Sequence, residues 1–156
     1  MTNGAIFRDG AAELITQAAW VRVSIDAARP ETYARMRRVP PGMFATVWQH
    51  VATLAATKRH DARPCVIGVG FVVTRENYKE IVEATRQAHA AGVDNIRLSA
   101  AFTTDDYAYH APIYAEARAL AQEAVATYDA PDFRVVDMFG ERIDDLQQGA
   151  PDYAHC

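Results

Sequence analysis

Cysteine is scarce. The chain has two, Cys65 and Cys156, in 156 residues. That excludes a disulfide framework. Two thiols alone also cannot hold an iron–sulfur cluster or a four-cysteine zinc site. Long hydrophobic runs are missing: no apolar stretch approaches the roughly 20 residues that span a bilayer. No basic segment followed by an apolar one marks a signal peptide. Basic excess is missing too. Lys plus Arg total 16 against 20 Asp plus Glu, for a net charge of −4. A dedicated nucleic-acid binder carries the opposite balance, so no nucleic-acid partner is expected. Only Lys58 and Lys79 supply ammonium groups, both in helical segments, which argues against a Schiff-base enzyme. No long internal repeat, low-complexity tract or linker interrupts the chain. A cytoplasmic compartment is the expectation.

What is present is ordinary globular material. Half of the residues are apolar and 23% are charged, enough to bury a core. Four short apolar runs read as strands: 21–26, 65–73, 95–101 and 133–139. Runs this apolar suit strands buried in a parallel sheet. Helical spacing fills the gaps. Residues 8–18 place Ala11, Leu14, Ile15 and Ala18 on one face. Pro30 followed by Glu31 opens a helix through about Arg37, and Pro40-Pro41-Gly42 breaks the pattern. Residues 43–58 form the next helix. Asn77 with Glu80 matches a capping box for a helix at 78–91, which Gly92 ends. Residues 107–127 read as one long alanine-rich helix. The expected class is α/β with parallel strands and right-handed crossovers. Residues 1–139 form the folded part, and 140–156 a polar tail.

The first residues are unusual for such a fold. Met1-Thr2-Asn3-Gly4 is a turn signal, and the helix after it lacks a preceding strand. Two readings follow. One is a small three-layer α/β domain. The other is the central piece of a larger β/α barrel, whose open sheet edges predict poor solubility.

The stretch 20–38, WVRVSIDAARPETYARMRR, resembles the fourth barrel strand of radical S-adenosylmethionine enzymes. Members of that family often read S-x-D-x-x-x-P-E-x-Y-x-x-x-R there, matched here by Ser24, Asp26, Pro30, Glu31, Tyr33 and Arg37. Thr2-Asn3-Gly4 resembles the TNG that commonly closes the third strand. Gly68-Val69-Gly70-Phe71-Val72-Val73, then Asn77-Tyr78-x-Glu80-Ile81, resembles the fifth strand and its helix. Gly92-Val93-Asp94-Asn95-Ile96-Arg97-Leu98 resembles the approach to the sixth strand. The resemblance covers residues 2–101 well. It implies about half of a partial barrel with outer helices. In the complete enzyme a [4Fe–4S] cluster reductively cleaves S-adenosylmethionine, and the resulting 5′-deoxyadenosyl radical abstracts a substrate hydrogen. The family's C-x-x-x-C-x-x-C cluster loop would lie before Met1, so the chain alone is expected to be inactive. The missing barrel half would come from the same or another chain. The alternative function is a stand-alone α/β binding module without catalysis.

The resemblance assigns cofactor-binding roles to six residues, and each has a plainer reading. Ser24 and Asp26 stand two apart, on one side of a strand. They would hold a ribose diol, or else pack inside and cap the next helix. Arg37 would take the cofactor's carboxylate, or else sit on a solvated helix end. Gly68, with Gly70, would let adenine approach the backbone, or else admit tight packing. Asn3 would bond a ligand, or else stand in a turn with Gly4 at positive φ. Leu98, with Ser99, would contact adenine, or else pack in the core. Cys65 reads as a small buried hydrophobe. Cys156, beside His155, would be an auxiliary-cluster ligand, or else an exposed thiol. The Asp105, Asp106, Tyr107, Tyr109 and His110 cluster would touch substrate, or else form a polar first turn. His50, His60 and His89 read as surface. The small-molecule or peptide substrate is not written in the sequence.

Overall fold

A computed structural model of the chain describes residues 1–103 and 106–140. The elements run α1 (Ala11–Ile15), β1 (Trp20–Ser24), α2 (Pro30–Arg37), α3 (Gly42–His60) and β2 (Val66–Val73). A 3₁₀ turn (Tyr78–Glu80) leads into α4 (Ile81–Ala90). Then come β3 (Asn95–Ala100), α5 (Asp106–His110), α6 (Tyr114–Tyr128) and β4 (Arg134–Met138). The four strands form one sheet in the order β1-β2-β3-β4. Every pairing is parallel. The register sets Arg22 opposite Gly68 and Ser24 opposite Gly70. On the other side of β2, Gly68 faces Asn95 and Gly70 faces Arg97.

Strand residues alternate between two faces. One face carries Val21, Val23, Ile67, Val69, Phe71, Val73, Ile96, Leu98, Ala100 and Val135, all buried in a single core. The helices supply its other half: Phe44, Val47, Val51 and Leu54 from α3, Ile81, Ala84 and Ala88 from α4, and Ala117, Ala121 and Ala124 from α6. α4 packs on α6, and α1 and α2 pack on α3. The opposite face carries Trp20, Arg22, Ser24, Val66, Val72, Asn95, Arg97 and Ser99, all exposed or half-buried. No helix covers it.

Three expected elements differ. The helix at 8–18 shrinks to α1: Gly10 at φ 77° cannot continue a helix, and at the other end the Thr16 hydroxyl donates to the Ala12 carbonyl at 2.8 Å. The helix at 107–127 is two helices. Pro112 lies between α5 and α6, lacks an N–H and disfavours helical Ala111. The capping box is also absent: Asn77 makes no cap bond to the turn that follows it. By contrast, Pro30 opens α2 in its first turn, and Gly92 at φ 73° stands just past the end of α4. Among the described residues, no helix is long and apolar enough to cross a membrane.

Candidate functional site

The carboxyl ends of parallel strands are where α/β proteins place ligands. There β1 leaves the sheet through a turn that its sequence forces. Ile25 still bonds the Gly70 carbonyl at 3.1 Å. Asp26 then turns to φ 60°, a left-handed conformation that Asp and Asn tolerate best after glycine. It does not cap α2. Instead its carboxylate replaces the sheet's next rung: one oxygen accepts from the Val72 N–H at 2.7 Å. The other oxygen accepts from the Arg37 guanidinium. The same Arg37 nitrogen donates to the Ser24 carbonyl at 3.0 Å. Asp26 is 8% exposed. Burial pushes its carboxyl up from the ordinary value, and the Val72 N–H and the Arg37 charge offset part of that push.

Asn77 closes the turn from the next unit. Its Nδ2 donates to the Asp26 carbonyl at 2.9 Å and to the Val72 carbonyl at 2.8 Å. Its Oδ1 accepts from the Thr74 N–H at 2.7 Å and the Thr74 hydroxyl at 3.0 Å. All four bonding positions of this buried amide are filled. Glu80 is buried beside it. One oxygen accepts from the Ala28 N–H at 2.7 Å, the other from the Thr32 hydroxyl at 2.5 Å. Gln87 adds a bond to the Ala28 carbonyl at 2.9 Å. The β1–α2 turn is therefore held by side chains from the β2–α4 unit, more than 45 residues downstream.

Of the six candidate residues, the structure brings together Ser24, Asp26 and Arg37. Asp26 and Arg37 are committed to each other and to backbone. The Ser24 hydroxyl stands on the helix-free face, over Gly70. Gly68 lies one row lower on that face, where the Asn95 side-chain oxygen fills the space a Cβ would need. Leu98 points the other way, fully buried among the helices, so only its backbone and its neighbour Ser99 reach the open face. Asn3 is exposed, and its side chain accepts from the Ala5 N–H at 3.1 Å. Gly4 beside it has φ 68°. Thr2 forms a parallel bridge to Val23, along the free edge of β1. Cys65 is fully buried, and burial raises its thiol pKa. Cys156 lies outside the described residues, as does Asp105. Tyr109 accepts from Arg75 through its backbone carbonyl at 2.7 Å, and His110 is fully buried. His50 is not a plain surface residue: half-buried, it donates from Nδ1 to the Gly4 carbonyl at 2.7 Å and stacks on Phe7.

Sequence reasoning missed Asn77 and Glu80 as parts of the site. Their capping-box spacing suggested a purely local role. The only available signal was the burial forced on a carboxylate among Ile81, Ala84 and Ala88. Among the described residues, no three His, Cys, Asp or Glu side chains gather as metal ligands. No family model matches the chain. No curated protein sequence matches it either.

Proposed function

We propose that the chain is part of a radical S-adenosylmethionine enzyme and builds one wall of its cofactor pocket. The observation that carries this reading is the winding of the sheet. Strand order follows chain order, all pairs are parallel, and the helices lie on one face only. Doubly wound sheets reverse strand order and cover both faces, whereas a barrel wall leaves one face for the lumen. The placement of Thr2-Asn3-Gly4 supports it as well, because Thr2 lies along β1 as the end of a preceding parallel strand would. The matching face of a barrel closed by further strands would be its lumen.

The residues fit the two parts of the cofactor unequally. Ser24 offers a half-buried hydroxyl, without a hydrogen-bond partner among the described residues, beside bare glycine backbone, which suits a ribose and an adenine edge. Arg37 keeps almost a third of its side chain exposed after pairing with Asp26, leaving donors for a carboxylate. The braced turn fixes both in place without rearrangement. When bound, S-adenosylmethionine supplies the adenosyl fragment that takes the substrate hydrogen; the protein's part is to hold and orient it. The cluster is a different matter. Two cysteines, one of them fully buried, do not fit a three-thiolate site, so these residues are assigned no step through it.

The second reading, a binding module without catalysis, is favoured by the closed Asp26–Arg37 pair, which occupies the strongest charges at the site. Calorimetric titration with S-adenosylmethionine tests the cofactor pocket on which the first reading rests. The enzyme reading expects saturable binding that Ser24→Val weakens by about tenfold, the loss of one good hydrogen bond to a ligand. No saturable binding, or binding that Ser24→Val leaves unchanged, overturns it.

A further inference from the structure

The helix-free face holds a second feature, lower on the strands than the Asp26 turn. We propose that Arg22 and Arg97 form a binding site for a phosphate group carried by a small-molecule ligand. The two arginines come from the strands flanking β2, and β2 puts only Gly68 and Gly70 between them. The register places Arg22 opposite Gly68, and Arg97 opposite Gly70. Neither glycine carries a side chain of its own, and the Asn95 amide and the Ser24 hydroxyl border the space above them. The Arg22 stem lies across Gly70, where a Cβ would come within 3.3 Å of its Cδ.

These are like charges held near each other. Burial, then the Arg97 charge, pulls Arg22 below its ordinary pKa. The Nε of each arginine is buried and has no hydrogen-bond partner among the described residues. None of the strand residues on this face is acidic. Two buried donors with no acceptor among the described residues cost free energy, which an anion between them would recover. The Asn95 Oδ1 beside them is also buried and unpartnered. It suits a hydroxyl of the same ligand.

A cavity of about 380 Å³ opens on the Arg22 side, lined by Trp20, Arg22, Val66, Gly68 and Asn95, with Arg97 beyond its lining. Trp20 is 56% exposed, with the Arg22 guanidinium 5.7 Å from its ring centre. It offers an apolar plane for the body of the ligand. The number of oxygens selects the head group. One guanidinium fork satisfies both oxygens of a carboxylate. Two guanidiniums, each with an Nε unpartnered among the described residues, call for three terminal oxygens and up to two negative charges, as on a phosphate monoester.

The test is calorimetric titration of the chain with inorganic phosphate, in sodium chloride that holds ionic strength constant. Saturable phosphate binding is expected, with malonate at least about tenfold weaker. Arg97→Met should weaken phosphate by about tenfold or more, a change that corresponds to about 1.4 kcal/mol. Arg97→Lys, which keeps the charge and loses Nε, should lose about as much and covers the case where the methionine variant does not fold. Equal effects of chloride and phosphate, equal binding of malonate, or unchanged binding in both variants overturns the site. A chain that binds phosphate but not S-adenosylmethionine sustains this site and overturns the cofactor reading. The opposite result does the reverse.

Discussion

Gly4 is the residue with the least freedom to change. Its φ is 68°, and a Cβ there would lie 2.8 Å from the Val23 side chain and 3.2 Å from that of Val47. Both neighbours are buried in the core and cannot move aside. Gly4→Ala should therefore destabilise the chain by about 2–4 kcal/mol, read from urea unfolding. Asp26 carries the next prediction. Asp26→Ala leaves the Val72 N–H and the Arg37 guanidinium without their acceptor, at about 2–4 kcal/mol. Asp26→Asn keeps the acceptor for Val72 and tolerates the left-handed turn, so it should cost less. The pair also predicts a pH response. Burial raises the Asp26 pKa in the folded chain above its unfolded value. The folded state then binds that proton more tightly. This group's contribution to stability is largest below the ordinary carboxylate range and falls as pH rises through the folded value. Asp26→Asn lacks that term. Its stability relative to wild type should improve as pH rises through that window, in unfolding curves taken at several pH values. The S-x-D spacing marked Asp26 from sequence. Its real partners were invisible there, because Val72 and Asn77 lie about 50 residues away and only the strand pairing brings them close.

At the scale of elements, the short β1–α2 turn is braced by the 3₁₀ turn and α4. Glu80 is the principal brace, and Glu80→Ala strips the acceptor from both Ala28 and Thr32. A loss of about 2–3 kcal/mol is expected. Hydrogen exchange should speed up first in residues 25–33, while β2 and β3 stay protected. Uniform acceleration across the sheet would contradict that local role. The four strands were legible as apolar runs because each belongs to a parallel sheet with one face in the core, β2 and β3 at its centre and β1 and β4 at its ends. Helix α2 was legible from Pro30, and the end of α4 from Gly92. The long helix at 107–127 was misread because alanine periodicity runs on through Pro112, whose missing N–H stops it. The capping box at Asn77 and Glu80 was misread for a different reason. Its spacing is right, but both side chains find stronger partners across the fold, and tertiary bonds win over local ones.

At the scale of the whole molecule, the sheet has a sealed side and an open side. Core residues on the sealed side were evident from hydrophobicity alone. Leu98, fully buried there, should cost about 2–5 kcal/mol when cut to alanine. The open side was harder to foresee. Arg22, Asn95 and Arg97 sit inside strands read as apolar, and only the register shows that they flank two glycines on one face. Trp20, Val66, Val72, Val136 and Met138 leave apolar surface on this same side, which accounts for the expected tendency to associate. The cofactor reading places S-adenosylmethionine on this open face, at the carboxyl ends of its strands, above the Arg22 cavity. Amide chemical shifts of the labelled chain, followed during titration with S-adenosylmethionine, test it most directly. Binding there should shift amides at residues 24–26, 68–72 and 97–100 and leave α3 and α6 unchanged. Shifts confined to the helical side, or none at saturating ligand, would contradict it.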